Sequence, residues 1–442
     1  MLDDSEVGTA TSRGANAAEP VPPSPALSRR AVLGWLGGAA VGASLGAGGL
    51  QLVGRTARDE TTSDLHPSTQ DDLVEFFGPH QAGITTPPPA ALVFAAFDVT
   101  SSHRSDLRRL LRIWTEAAAR MTRGEPVPGS VADPDRPPVD TGETRGLSPS
   151  RLTVTFGFGP GLFVRDGHDR FGLAASRPAS LRDLPPFRND ALDPARSGGD
   201  LCIQACSEDG LVAFHAVHDL AKLARGVAGM RWLQRGFGQA SAVGAHQPTP
   251  RNLMGFKDGT NNIREDDLEA LDRFVWVQEG PAWMHGGTFL VARRIRIHIE
   301  RWDASDLSEQ QDVIGRYKAS GAPLGLRHEF DPVPLNRHGV VGHPTIPARA
   351  HIRLAAPSSN EGQRILRRGY SFVDGVDAPE GRLDLGLFFL AFQRDPFRQF
   401  VPINRRLARS DALNEYILHT SSAVFAIPGG LRPGEAIGEG LL

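Results

Sequence analysis

Asn252-Leu-Met-Gly-Phe-Lys-Asp-Gly-Thr-Asn-Asn-Ile263 sets one acid, Asp258, in a glycine-flanked loop among apolar neighbours. An acid so placed is suited to proton chemistry beside a bound ligand. Gly255 and Gly259 lack a Cβ, so the backbone can turn sharply and approach a flat ligand, while Leu253, Met254 and Phe256 can supply a dry wall. Taken alone, Asp-Gly is a common turn signal and reads as an ordinary surface turn. A calcium loop fits poorly, because after Asp258, Thr260 and Asn262 the position needing glycine is Ile263.

Two further segments carry candidate chemistry. In His343-Pro-Thr-Ile-Pro-Ala-Arg-Ala-His-Ile-Arg-Leu-Ala-Ala-Pro357, His351 stands among small and apolar residues, where a neutral imidazole could face a buried metal. Ile365-Leu-Arg-Arg-Gly-Tyr-Ser-Phe372 presents Arg367 and Arg368. Singly, each has a plain reading, the histidine as a satisfied packing residue and the arginines as a solvated face.

Composition bounds the rest. The 442 residues suffice for two domains with full cores, and a hydrophobic share of 40% is that of an ordinary globular protein. A formal charge of −3 offers no broad basic field, so nucleic acid is not an expected partner. Only Lys222, Lys257 and Lys318 among the 48 basic residues are lysines, without an Arg-rich block. Cys202 and Cys206 are too few for a disulfide scaffold and lie about 13 Å apart if the segment is a strand, so they read as buried free thiols.

The N-terminus reads as an address. Ser28-Arg-Arg-Ala-Val-Leu33 precedes an uncharged, Gly/Ala-rich run, Ala31 to Val53, and resembles a twin-arginine export signal. The 23 residues of that run could instead span a bilayer as a retained anchor. Export by the twin-arginine translocase places the product in the periplasm, at the cell surface or outside the cell, and hints at a cofactor acquired before export. Gly42-Ala-Ser-Leu-Gly46 matches a nucleophile elbow in letters but lacks a preceding strand.

Elements follow from periodicity. Ala91 to Val99 reads as a strand, and Leu107, Leu110, Leu111, Trp114, Ala118 and Met121 as a helix behind a Ser105 cap. Leu152 to Phe158 and Leu201 to Ser207 read as strands, and Leu211 to Ala224 as a helix. In Thr288 to Ile299, isoleucines alternate with Arg294, Arg296 and His298, predicting a strand with one wet face. A helix with an Asp306/Glu309 capping box runs through Tyr317, Gly386 to Gln393 is a buried strand, and Ile403 to Leu418 a closing helix. Two halves that each open strand then helix predict a duplicated α+β unit with antiparallel sheets and helices outside.

Taken in order, Gly-Phe-Lys-Asp-Gly-Thr-x-Asn, His-Ile-Arg, Ile-Leu-Arg-Arg-Gly-Tyr and Leu387-Phe-Phe-Leu-Ala-Phe-Gln-Arg-Asp-Pro396 closely resemble the dye-decolourising peroxidase family, from about Pro87 to Gly430. The resemblance implies two ferredoxin-like domains forming a β-barrel-like core, at residues 66–255 and 256–442, after a signal and linker at 1–65. It implies one non-covalent haem b (iron protoporphyrin IX) per chain, with hydrogen peroxide and organic reductants such as dyes and phenolics as substrates. His351 would be the proximal iron ligand, Asp258 the distal acid and Arg367 the distal arginine, with Gly259, Thr260 and Asn261 lining the haem. Asp395, with Asp384 as rival, would bind the far nitrogen of His351. Electrons from large substrates would hop through Trp232, Trp276, Trp283, Trp302, Tyr317, Tyr370 or Tyr416. A homo-oligomer stays open. The alternative activity is haem handling in iron acquisition, as in deferrochelatase-like relatives; a solute-binding protein would leave the Asp258, His351 and Arg367 set unexplained. Zinc His-Glu-x-x-His and P-loop motifs are absent, and Pro160 spoils Gly157-Phe-Gly-Pro-Gly161 as a dinucleotide fingerprint.

Overall fold

A computed structural model describes residues 72–442 apart from 130–132, 240–242, 245, 247, 340–341 and 378–380. The proposed export signal lies outside the described residues, and no described helix is long and apolar enough to cross a membrane.

Alternation of side chains builds two halves of the same topology. The first runs β1 (Ala91–Val99), α1 (Arg104–Met121), β2 (Thr153–Phe158), the one-turn α2 (Pro160–Phe163), β3 (Leu201–Ser207), α3 (Gly210–Leu223) and β4 (Ala228–Gln239). The second runs α4 (Leu268–Phe274), β5 (Thr288–Ile297), α5 (Ile299–Asp303), α6 (Leu307–Ile314), α7 (His351–Ala355), β6 (Leu366–Arg367), β7 (Tyr370–Asp377), β8 (Arg382–Gln393), α8 (Phe400–Ser410) and β9 (Ile417–Ile427). Strand order is β2-β3-β1-β4 in one half and β9-β5-β8-β7 in the other, all antiparallel, which is the ferredoxin-like order twice. Thin seams, Phe158↔Ala426 and Phe237↔Ser371, join the halves, and the β5–β8 pairing closes an eight-stranded barrel, with β6 as a short addition to β8.

Every second residue then faces the barrel interior. Leu92, Phe94 and Ala96 of β1 meet Phe388, Leu390 and Phe392 of β8 and Phe425 of β9 there, while Val93, Ala95 and Phe97 face outward onto α1 and α3. Truncating a ring such as Phe388 to alanine would cost about 3–5 kcal/mol. Both cysteines lie in this interior as free thiols.

Four expectations need correcting. β5 has no wet face: Arg294 is buried at one end of the barrel, donating to Asp374 Oδ2 at 2.9 Å, Asp384 Oδ2 at 2.7 Å and Gln234 Oε1 at 3.0 Å, with its guanidinium 4.0 Å from the Phe372 ring centre. The closing helix ends at Ser410, and Ile417 onward forms β9, the central partner of β5. Helix α1 starts behind His103 rather than Ser105, and Ser101 takes up Asp106 by side chain. Helix α6 stops at Ile314 because Gly315 takes φ +90°; its Asp306 N-cap makes no side-chain bond, and Glu309 instead accepts from Tyr416.

Candidate functional site

Outward-facing residues of β5, β8 and β9 leave a gap beneath α7 and α8. Ile295, Ile297, Leu387, Phe389, Ile403 and Leu407 line a cavity of about 630 Å³, a size typical of organic-cofactor pockets. Asp258, Gly259, Thr260, Asn261, His351 and Arg367 all line it.

Asp258 is held by its loop. Gly255 and Gly259 adopt φ of +82° and +109°, conformations costly for residues with a Cβ, and a Cβ at Gly255 would stand 2.7 Å from Lys318 Cε. Met254 and Phe256 bury themselves against Trp302, fixing the loop on the second-half core. Asp258 Oδ1 accepts from Arg367 Nη1 at 2.5 Å, and Oδ2 from Asn252 Nδ2 at 3.4 Å. Arg367 enters from β6, where Asn262 bonds both its N–H and its C=O. Thr260 Oγ1 donates to Glu329 Oε1 at 3.0 Å, and Lys257 also pairs with Glu329, so the hydroxyl is committed to the loop at the cavity edge. Burial disfavours the Glu329 charge, yet the bonds from Lys257 and Thr260 hold its pKa below the ordinary glutamate value.

His351 begins α7, and its Nδ1–H donates to Asp411 Oδ2 at 2.6 Å. Neither Asp395 nor Asp384 is that partner. Asp395 caps the turn into α8 by accepting from Phe397 N at 2.8 Å, whereas Asp411 follows the far end of α8; eleven helical residues, about 16 Å, separate the two ends. Asp384 lies on the barrel-interior face of β8, opposite to Leu387, and is bonded to Arg294. Asp411 is 3% exposed and also accepts from Leu413 N at 2.9 Å, so the carboxylate is fixed. With Nδ1 engaged, Nε2 is the ring nitrogen left for a ligand, and the side chain is 34% exposed despite being enclosed by protein because it borders the cavity. Burial opposes the imidazolium, but the charge and hydrogen bond of Asp411, with Asp258 adding, raise the histidine pKa above its ordinary value.

Arg368, unlike Arg367, is fully buried and donates to Thr86 O. Residues not singled out from the sequence also shape the cavity. Arg293 is buried, paired with Asp190 and stacked 5.2 Å from the Phe187 centre, with its Nε lacking a hydrogen-bond partner. His419, beside it, has its pKa lowered to about 3 by burial and by the Arg293 charge. Their signal, a β5 arginine and a β9 histidine, was readable only with the two strands paired. Of the aromatic candidates, Trp302 and Tyr416 stack edge-to-face with centroids 5.0 Å apart, and Trp302 lies 5.9 Å from Phe256 of the cavity wall. Trp232, Trp276 and Tyr370 are buried, and Tyr317 is 38% exposed.

The donor set fits an iron porphyrin: a carboxylate-anchored imidazole for the metal, an apolar slot, and a buried cation with a spare N–H for a carboxylate substituent.

Comparison with known proteins agrees with this reading. Residues 81–238 match the sequence profile described as Dyp-type peroxidase, N-terminal, and residues 249–432 that of Dyp-type peroxidase, C-terminal. The chain is 37% identical over 423 residues to a deferrochelatase of Escherichia coli strain K12, covering 94% of this chain and 97% of that protein. Oxyferrous DtpA from Streptomyces lividans is 41% identical with a TM-score of 0.77, over 84% of this chain and 97% of that one. A DyP-type peroxidase from Streptomyces coelicolor is 42% identical with a TM-score of 0.76, over 83% and 96% of the two chains.

Proposed function

Because the chain belongs to the Dyp-type peroxidase family, we propose that this haem peroxidase reduces hydrogen peroxide with electrons from bulky organic donors such as dyes and phenolics, using Asp258 and Arg367 as its proton-handling pair. Haem, when bound, supplies an iron that is oxidised as the O–O bond of peroxide breaks. The chain's own residues do the rest. His351 would hold the metal through Nε2, and the hydrogen bond to Asp411 makes the imidazole more electron-rich.

Asp258, the cavity acid paired with Arg367, is placed to accept a proton from one peroxide oxygen and return it to the other, whose departure as water needs that proton. Arg367, permanently charged, stabilises negative charge that develops on the departing oxygen. The observation that carries this reading is the Asp258–Arg367 contact on the same cavity that His351 borders. Donors too bulky for the cavity would pass electrons from outside, and the Phe256–Trp302–Tyr416 stack supports one such route: its rings are buried, but the Tyr416 hydroxyl donates to exposed Glu309 at 2.8 Å.

The test is steady-state oxidation of an anthraquinone dye and of a small phenol by haem-loaded protein with peroxide, compared with Tyr416→Phe. Loss of dye turnover with phenol turnover kept supports the route; equal turnover of both by the variant removes it. A second reading, removal of iron from haem, is favoured by the deferrochelatase relative, and it predicts metal-free porphyrin fluorescence after incubation with haem without peroxide. We also propose export through the twin-arginine route, which a reporter fused behind residues 1–65 would test by replacing Arg29 and Arg30 with lysine.

A further inference from the structure

Far from the cavity, the loop that precedes β2 folds back on α3 and brings together Asp140, Glu143, His215 and Asp219, none of which lines the haem cavity. His215 and Asp219 are one helical turn apart and share a face of α3. His215 Nε2 lies 3.5 Å from Asp219 Oδ2 and 3.9 Å from Asp140 Oδ1, and one donor atom from each residue falls within 4.8 Å of the others. Such spacings are at or beyond the limit of a direct hydrogen bond. Donors that share a cation at about 2.0–2.2 Å in tetrahedral array stand about 3.3–3.6 Å apart, so the His215–Asp219 pair already has that spacing and the Asp140 oxygen closes inward by a few tenths of an ångström or more to complete it.

Each donor is aimed rather than incidental. Glu143 Oε2 accepts from His215 Nδ1 at 2.8 Å, which leaves Nε2 with its lone pair toward the other two residues, the arrangement by which a carboxylate orients a metal-binding imidazole. Asp140 is fixed by Gly142 N at 2.8 Å and Val127 N at 2.9 Å. Asp219 is fully buried; its Oδ1 accepts from Thr141 Oγ1 at 2.8 Å and Thr141 N at 3.2 Å, whereas Oδ2 has no hydrogen-bond partner, His215 Nε2 standing 3.5 Å away. An unpartnered buried carboxylate oxygen is costly unless something positive meets it.

We propose that Asp140, His215 and Asp219 form a binding site for a divalent first-row transition cation, zinc by its donor set, that pins the proline-rich loop onto α3. One imidazole and two carboxylates leave a fourth position for water, and the mixed N/O set disfavours magnesium and calcium, which take all-oxygen ligands. The site is structural and independent of the peroxide chemistry.

The test uses tag-free, haem-loaded full-length protein, stripped with chelator and titrated calorimetrically with Zn²⁺, with Mg²⁺ as comparator and elemental analysis for stoichiometry. One zinc per chain, bound micromolar or tighter and raising the melting temperature, is expected. Asp219→Asn weakens zinc at least about 100-fold and Glu143→Gln about 10- to 100-fold, with the haem absorption band unchanged in both. Wild-type protein that takes up no zinc at millimolar concentration, or Asp219→Asn binding zinc as wild type does, overturns the proposal.

Discussion

Asn262 and Arg367 grip each other in both directions: Asn262 Nδ2 donates to Arg367 O at 2.8 Å, and Arg367 N donates to Asn262 Oδ1 at 2.8 Å. One buried amide therefore ties the loop that carries Asp258 to the strand that carries Arg367. Asn262→Ala leaves both charged groups in the chain but frees their relative position, and loss of a buried pair of bonds of this kind is worth about 1–3 kcal/mol. Rapid mixing with peroxide should show oxidation of the haem slowed about 10-fold or more, with haem content unchanged. An unaltered rate would mean that Asn262 only fills space.

Asp411 gives a second prediction, because it is the acid that receives the His351 Nδ1–H bond. Asp411→Asn keeps an oxygen for that bond and for Leu413 N but removes the negative charge, so the imidazole becomes a weaker electron donor. Resonance Raman spectra should place the iron–histidine stretch at lower frequency, and peroxidase turnover should fall about 10- to 100-fold. Asp395→Asn and Asp384→Asn should leave that stretch in place. A shift in either of these, with none in Asp411→Asn, would contradict the observed pairing.

That Asp411 escaped the sequence has a physical cause. Phe400 to Leu407 is amphipathic, and Ile417-Leu418 follow soon after, so one helix through both segments satisfies periodicity and hides Asp411 in its middle. The acid is instead the cap of a short turn between α8 and β9. Strand β1 was legible because nine residues of uninterrupted β-prone sequence lie between turn signals, and the Asp258 loop because its glycines punctuate it. Strand β4 was not, since Gly229, Gly236 and Gly238 interrupt it and Arg231 and Arg235 interleave its apolar residues. The β5 arginines misled for a related reason: alternation tells which side chains share a face, but closure of the barrel decides whether water reaches that face.

His419 sets a pH dependence of stability. Its folded pKa is lowered to about 3, whereas the unfolded chain keeps the ordinary value near 6.5. Above pH 6.5 both states are neutral at this site and it contributes nothing; below, the unfolded chain takes up a proton that the folded one refuses. Stability is therefore lost as pH falls from about 6.5, and the loss levels off near pH 3. His419→Gln removes this contribution. In haem-free protein, the drop in urea-unfolding stability between pH 7 and pH 4 should be about 2 kcal/mol smaller for the variant, allowing for partial access of the site to water. Parallel pH curves for the two proteins would show that His419 is protonated without penalty.

The Asp258–Arg367 pair separates proton transfer from charge stabilisation. Asp258→Asn retains the size of the side chain and an acceptor for Arg367 but cannot take up a proton, so haem oxidation by peroxide should slow about 100- to 10,000-fold across the whole working pH range. Arg367→Leu keeps the acid and removes the fixed charge, for which a loss of about 100- to 1,000-fold is expected. Because both residues act on one departing oxygen, the double variant should lose much less than the product of the two single losses. Stopped-flow rates for the four proteins complete the cycle. Fully multiplicative losses would show that the two side chains act independently, and an Asp258→Asn protein as fast as wild type would remove the aspartate from proton transfer.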